Sequence, residues 1–293
     1  MRCLAWQPVM WLAQGVARLP QAALLSLGRA LTWVAWPLLR RRRRIAAINV
    51  ALCFPQLDAA AQRRLLSDNL CATVTGALEL LRAWYAPPAA LHGLAEIEGA
   101  DGLLQALAGN RGVLLLTAHF THTELAVRLL SEHLRRPIGG IVRHNNSPCL
   151  ERELQIARSR VFGPTLEKKD MRGLLRALKS GWPMAYSADQ DFSYRSSFVP
   201  FFGVDAATLV STPDLVRRAG AQMFSLFCHR DAAGRYHLQV QQAWPGWDTA
   251  SPADAAAIYM RELEAFVREH PDQYLWVHRR FKTRPPGQAQ LYP

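Results

Sequence analysis

The stretch Gly112-Val113-Leu114-Leu115-Leu116-Thr117-Ala118-His119-Phe120-Thr121-His122-Thr123-Glu124 runs from a buried-looking apolar segment into a cluster of polar groups. His119 would sit at the carboxyl end of a strand, and a carboxylate, Glu124, follows five positions later. On one continuous helix that spacing separates two side chains by about 140°, so they would not share a face. With His119 in a loop and Glu124 in the first turn of the next helix, the carboxylate reaches one ring nitrogen. It then fixes the tautomer and stabilises the imidazolium, leaving the other nitrogen to take a hydroxyl proton. Two plainer readings compete. Thr121-x-x-Glu124 matches a helix capping box, and a histidine at a strand end is commonly no more than a hydrogen-bonded polar residue. His122 reads as a lining or surface residue.

Two further clusters follow strand-like runs. Arg143, in Ile141-Val142-Arg143-His144-Asn145-Asn146-Ser147-Pro148, is placed to clamp a phosphate or to stabilise developing negative charge. Asp189-Gln190-Asp191 follows Met184-Ala185-Tyr186-Ser187-Ala188. Two acids so close repel unless hydrogen-bonded or paired with a cation such as Arg143 or Arg195, and a turn or cap is the plainer reading. No serine lies in a G-x-S-x-G elbow and no cysteine has a local catalytic signature, so direct attack by an activated substrate hydroxyl is favoured over a covalent acyl-enzyme. The five cysteines are an odd number with no close pair, which suggests reduced thiols. No HExxH-type spacing occurs, so neither metal nor cofactor is expected.

Such residues need strand ends to hold them. Short apolar runs at 112–118, 138–142 and 184–188 alternate with helical segments near 103–108, 125–133, 150–161 and 171–179, which indicates crossover units. Residues 223–229 and 236–243 read as an antiparallel pair, and a helix over about 252–270 stops at Pro271. The expected fold is α/β, a mixed, largely parallel central sheet flanked by helices, with an N-terminal apolar membrane helix. Residues 45–81 read as helices interrupted at Cys53-Phe54-Pro55.

The 21-residue stretch 19–39 carries one charge, Arg29, and abuts the block Arg40 to Arg44. Its length approaches the roughly 20 residues needed to cross a bilayer. Arg29, Pro20 and Pro37 count against spanning, and an interfacial helix with Trp33 and Trp36 at headgroup level is the alternative; a buried soluble helix is the plainest reading. Either membrane reading puts the arginine block on the cytoplasmic side. The expected division is residues 1–44 as membrane anchor and basic block and residues 45–293 as the catalytic domain. Half of the 293 residues are hydrophobic, which excludes disorder, and the formal charge of +12 favours phosphates, anionic lipid or acidic partners.

Together these features resemble the late acyltransferases of lipid A biosynthesis, the lauroyl/myristoyl transferase family of the glycerolipid-acyltransferase-like superfamily. The resemblance rests on Asn49-Val50-Ala51-Leu52-Cys53-Phe54-Pro55, His119 through Glu124, Arg143 with Asn145-Asn146-Ser147-Pro148, Asp189-Gln190-Asp191-Phe192 with Phe198 to Gly203, and Gln273 through Pro285. It implies a membrane-anchored enzyme on the cytoplasmic face of a bacterial inner membrane. Such enzymes move a fatty acyl chain from acyl carrier protein to a hydroxyl of a lipid A precursor. By position it makes His119 the general base, Glu124 its orienting partner and Arg143 an anion or transition-state contact. Asp189 and Asp191 match the family's DQD block and are taken, with Arg279, as substrate-binding. Lys168, Lys169, Arg280, Lys282 and Arg284 are further candidates for headgroup, phosphate or carrier contact, and Trp276 and Phe281 are read as packing residues. Two alternatives stand beside this. One is the same chemistry on another acceptor, such as an ornithine lipid, a glycolipid or an aryl pigment precursor. The other is a noncatalytic membrane adaptor or basic nucleic-acid-binding protein, although no nucleic-acid module is present and no nucleic-acid partner is expected.

Overall fold

A computed structural model describes residues 6–143 and 145–293. Four helices come first: α1 (Gln7–Ala17), α2 (Gln21–Ala35), α3 (Arg40–Cys53) and the long α4 (Ala59–Tyr85). Strands and helices then alternate through β1 (Ala95–Glu98), α5 (Ala100–Ala108), β2 (Val113–Thr117), α6 (Thr123–Leu134), β3 (Gly139–Val142), α7 (Pro148–Ser159), β4 (Thr165–Glu167), α8 (Met171–Lys179) and β5 (Pro183–Ser187). The chain closes with the hairpin β6 (Ser196–Phe201) and β7 (Val204–Leu209), then α9 (Thr212–Ala219), β8 (Gln222–Arg230), β9 (Tyr236–Gln242) and α10 (Pro252–Glu269).

Seven strands form one sheet in the order β1-β9-β8-β2-β5-β3-β4, parallel throughout except for β8 against β9. The expected mixed, largely parallel sheet and the antiparallel pair are therefore present. β2 is buried along its whole length, as a central parallel strand covered on both faces must be. Leu114, Leu116 and Met184 pack on one face with Tyr259 and Phe266 of α10, and Val113 and Leu115 pack on the other with Leu103 of α5 and Leu125 and Leu129 of α6. Trp276 and Phe281 are fully buried, as packing residues should be.

One departure from regular pairing shapes the site. β2 and β5 stay in register to Thr117↔Ser187, and β3 stays with β4 to Val142↔Glu167. β3 and β5 pair only at Gly139↔Met184 and Gly140↔Ala185. Beyond Gly140 the sheet splits at its carboxyl edge, the position at which open α/β sheets hold ligands.

The N-terminal stretch read as one apolar segment is broken. α2 has 15 residues, about 22 Å at 1.5 Å per residue, short of the roughly 30 Å hydrocarbon layer. Among the described residues no single helix is long and apolar enough to cross a membrane; α2 and α3 pass such a test only as a pair bent by 105°. Pro37 lies in the break, where it cannot continue the amide ladder. α1 and α2 instead lie against α4, and Arg82 of α4 grips the Leu19 carbonyl and the Gln21 side chain. Gly28 brings α2 so close that an added Cβ would sit 2.2 Å from Thr75 Oγ1. On the outer side Trp11, Leu12, Trp33 and Leu38 are each more than two-thirds exposed. Cys53, Cys71 and Cys228 are free thiols, whereas Cys149 is disulfide-bonded, against the expectation of reduced thiols throughout; Cys3 lies outside the described residues.

Candidate active site

Thr117 and Ser187 are register partners on adjacent parallel strands, and His119 and Asp189 each stand two residues beyond them. Parallel strands deliver equivalent positions side by side, so the two side chains meet. His119 Nδ1 lies 2.7 Å from Asp189 Oδ1, and the His119 amide donates to Asp189 Oδ2 at 2.9 Å. The Tyr274 hydroxyl donates to the same Oδ2 at 2.9 Å. Asp189 is 1% exposed, whereas the His119 side chain is 35% exposed and lines a large cavity. Burial alone would raise the Asp189 carboxyl, but the neighbouring imidazole and these hydrogen bonds hold it down at about 2. Burial disfavours the His119 imidazolium, and the Asp189 carboxylate outweighs that, leaving the ring a stronger base than an ordinary histidine. With Nδ1–H committed to the carboxylate, Nε2 is the nitrogen left for substrate.

Three distant elements lock this loop. Leu275 N donates to the His119 carbonyl at 3.0 Å, and Thr121 N donates to the Gln273 carbonyl at 2.9 Å. Asn49 of α3 donates to the carbonyls of Trp276 and His278 (2.7 and 2.8 Å), and Asn69 of α4 donates to those of Asp272 and Tyr274 (2.8 and 2.6 Å). The segment presenting Tyr274 is thus tied down from both sides. Gly76 of α4 lets that helix approach the His119 loop; a Cβ there would lie 2.2 Å from the Thr121 carbonyl oxygen.

Glu124 is in the first turn of α6, but its carboxylate is engaged by other groups. Trp84 Nε1 donates to Oε2 at 2.5 Å, and Arg158 Nη2 lies 3.4 Å from Oε1. The carboxylate recorded on the His119 ring is Asp189. The capping-box reading is not realised either: the N-cap of α6 is His122, which makes no side-chain cap. Glu124 does line the same cavity as His119. Arg158, 7% exposed, places its guanidinium 4.8 Å from the Trp84 ring centroid, and its Nε and Nη1 have no hydrogen-bond partner among the described residues.

The cavity measures about 1640 Å³, beyond the roughly 300–1,000 Å³ of drug-sized pockets. It opens at the split between β3 and β5. Its walls include Val127, Ile138, Ile141, Phe162, Leu175 and Tyr186, and Arg143, Lys168, Lys169, Arg172, Arg195 and Arg218 also line it. An apolar trough bordered by cations accepts a long aliphatic chain on an anionic head.

The other sequence candidates fall into two groups. Arg143 is exposed at the cavity, with Lys168 and Lys169. Asp191 also borders it, but both its oxygens accept from Thr283, from the amide and the hydroxyl at 2.9 Å each. Arg279 is turned to the chain's end, donating to the Pro293 carbonyl at 2.9 Å, outside the cavity lining. Arg280 is fully buried and donates to the carbonyls of Ala207 (2.8 Å) and Gln190 (3.3 Å), bracing the Asp189–Asp191 loop. The sequence alone assigns no role to Tyr274, Trp84 or Arg158: Tyr274 lies inside the Gln273 to Pro285 motif, and nothing local singles out Trp84.

Residues 2–283 match the family described as bacterial lipid A biosynthesis acyltransferase. The chain is 34% identical to the lipid A biosynthesis palmitoleoyltransferase of Escherichia coli (strain K12), over 97% of this chain and 92% of that protein. It is 32% identical to the lauroyltransferase of the same organism, again over 97% and 92%, and 28% identical to its myristoyltransferase, over 98% and 90%. A match over almost the whole length, around a paired histidine and carboxylate at the mouth of a lipid-sized cavity, establishes that this chain belongs to the bacterial lipid A biosynthesis acyltransferases and is an O-acyltransferase.

Proposed function

We propose that this enzyme moves a fatty acyl chain from acyl carrier protein to a hydroxyl of a lipid A precursor, at the cytoplasmic face of a bacterial inner membrane. The observation that carries the reading is the His119–Asp189 pair at the edge of the cation-bordered apolar cavity. The acceptor hydroxyl gives its proton to His119 Nε2 as its oxygen attacks the thioester carbonyl. Asp189 holds the ring and stabilises the imidazolium that forms. Arg158 and Arg143 are the cations that meet the tetrahedral oxyanion and the acceptor's phosphates, and Glu124, fixed by Trp84 and Arg158, orients the acceptor hydroxyl beside the ring. Collapse expels the carrier's thiolate, which takes the proton from the imidazolium, so the ester and the free thiol leave with no net proton change.

An acidic carrier protein and a phosphorylated acceptor both suit a chain of +12. Residues 1–44 act as the membrane element and residues 45–293 as the catalytic domain. Exposed Trp11, Leu12, Trp33 and Leu38 on helices packed against α4, followed by the Arg40–Arg44 block, support insertion into one leaflet over a single crossing.

The test is incubation of membranes holding the enzyme with a panel of acyl carrier protein thioesters and the tetra-acylated, Kdo-bearing precursor. Gain of one acyl residue in the product mass is expected. No gain with any thioester, or gain only on a different lipid, would overturn the reading.

A further inference from the structure

Trp84 also lines a second cavity, of about 560 Å³, whose wall holds five arginines and one glutamate among the described residues. Two of those arginines are occupied. Arg128 is buried and pairs with Glu132 at 2.6 Å and with the Ala83 carbonyl at 3.0 Å; Arg136 donates to the carbonyls of Leu107 and Gly181 (3.1 and 2.9 Å). The other three, Arg18, Arg135 and Arg160, are exposed. Arg135 and Arg160 make no side-chain hydrogen bond or ion pair among the described residues, and Arg18 makes one, to the Gln14 carbonyl one turn back.

Each of these three is the C-cap of a helix, α1, α6 or α7. A plain reading is that they neutralise helix dipoles. A helix C-terminus carries only about half a negative charge, so three such ends offset part of the arginine excess and leave the groove cationic.

The helix α1 says what kind of anion reaches it. Trp11, Gln14 and Arg18 fall at i, i+3 and i+7, on one line of the helix. Gln14 and Arg18 line the groove, and Trp11, 69% exposed, continues that line outward beside the exposed Leu12. A tryptophan and a leucine open to solvent on the helix whose C-cap, Arg18, lines a cationic groove match the layering of a bilayer surface, where rings sit at the headgroup level and cations meet phosphates.

We infer that this groove is a second anion site, one that takes the phosphate of a membrane lipid headgroup. It is separate from the His119 cavity, and its occupancy does not depend on the acyl-transfer reading. Guanidinium forks suit a phosphate monoester or diester, which they grip with two hydrogen bonds each.

The test uses the full chain, with no acyl donor, in flotation against phosphatidylcholine vesicles with and without phosphatidic acid. Arg135→Gln/Arg160→Gln is compared with a charge-matched control, Arg63→Gln/Arg261→Gln, two exposed arginines outside the groove. The groove pair should lose roughly thirtyfold in the preference for phosphatidic acid, and the control little, since each of the two basic residues removed is worth about 1 kcal/mol at a lipid surface. Equal losses in both would reduce the effect to general charge and overturn the proposal. So would a lowered unfolding temperature with vesicle preference unchanged, the result expected of helix caps alone. Inorganic phosphate, titrated separately, distinguishes the sources: phosphate binding lost in the groove variant without any vesicle preference would make this a free-phosphate site and overturn the lipid assignment.

Discussion

One carboxylate, that of Asp189, accepts from both the ring and the backbone amide of His119, a residue 70 positions earlier. The two residues are neighbours because β2 and β5 are parallel and in register up to the pair Thr117 and Ser187. Bonding the amide as well as the ring fixes the loop and the tautomer together. Asp189 is thus the residue on which the basicity of His119 depends.

Asp189→Asn removes that dependence. Burial then acts on the imidazolium unopposed, so the His119 pKa should fall below its ordinary value instead of lying above it. The acid limb of kcat/KM reports the neutral base, so it should move to lower pH while the plateau drops by about 100-fold or more. A pH–rate profile of the variant checks both. An unmoved limb would detach Asp189 from the ring's titration.

Glu124→Gln discriminates between two uses of the second carboxylate. The recorded partners of Glu124 are Trp84 and Arg158, so the substitution should lower kcat by about tenfold or more and leave the acid limb where it is. A limb displaced as in Asp189→Asn would show that Glu124 orients the imidazole during turnover, as its position in the sequence suggests.

Much of this arrangement can be read from the sequence, and what cannot has a physical reason. The strands ending at His119 and Asp189 stand out because central parallel strands are continuous apolar runs. Their adjacency does not, since it depends on strand order, and β2 is followed in sequence by β3 but in space by β5. Local spacing puts Glu124 within reach of the ring, but it cannot sense a carboxylate arriving from the next strand over. Arg279 and Arg280 look alike in sequence, yet one turns to the chain's end and the other is buried under the Asp189 loop. The short strands β1 and β4 and the hairpin of β6 and β7 carry too few alternating apolar residues to register. The break after Ala35 is masked by the apolar composition on either side of Pro37.

Gly76→Ala tests the contact between α4 and the His119 loop. The added methyl meets a backbone oxygen at 2.2 Å, and overpacking of that kind costs about 1–3 kcal/mol. A lower unfolding temperature and a reduced kcat are expected together. Full activity with native stability would show that the loop yields freely.

Acid should weaken the fold through His122. Burial, acting with the nearby Arg230 and against Glu79, holds its pKa down at about 4, so it is neutral in the folded state. The unfolded chain takes up the proton near pH 6.5, and stability should therefore fall as pH drops from about 6.5 to 4, by up to about 3 kcal/mol from this one residue. Urea midpoints measured across that window should fall less steeply for His122→Gln. Parallel slopes in the two proteins would assign the acid sensitivity to other groups.

The most direct measurement is single-turnover acyl transfer by purified His119→Ala, with thermal unfolding followed on the same preparation. A loss of about 10²–10⁴-fold is expected, the usual contribution of a positioned base, with unfolding unchanged. Transfer within a few-fold of the unsubstituted enzyme, in a protein that unfolds normally, would contradict His119 as the base.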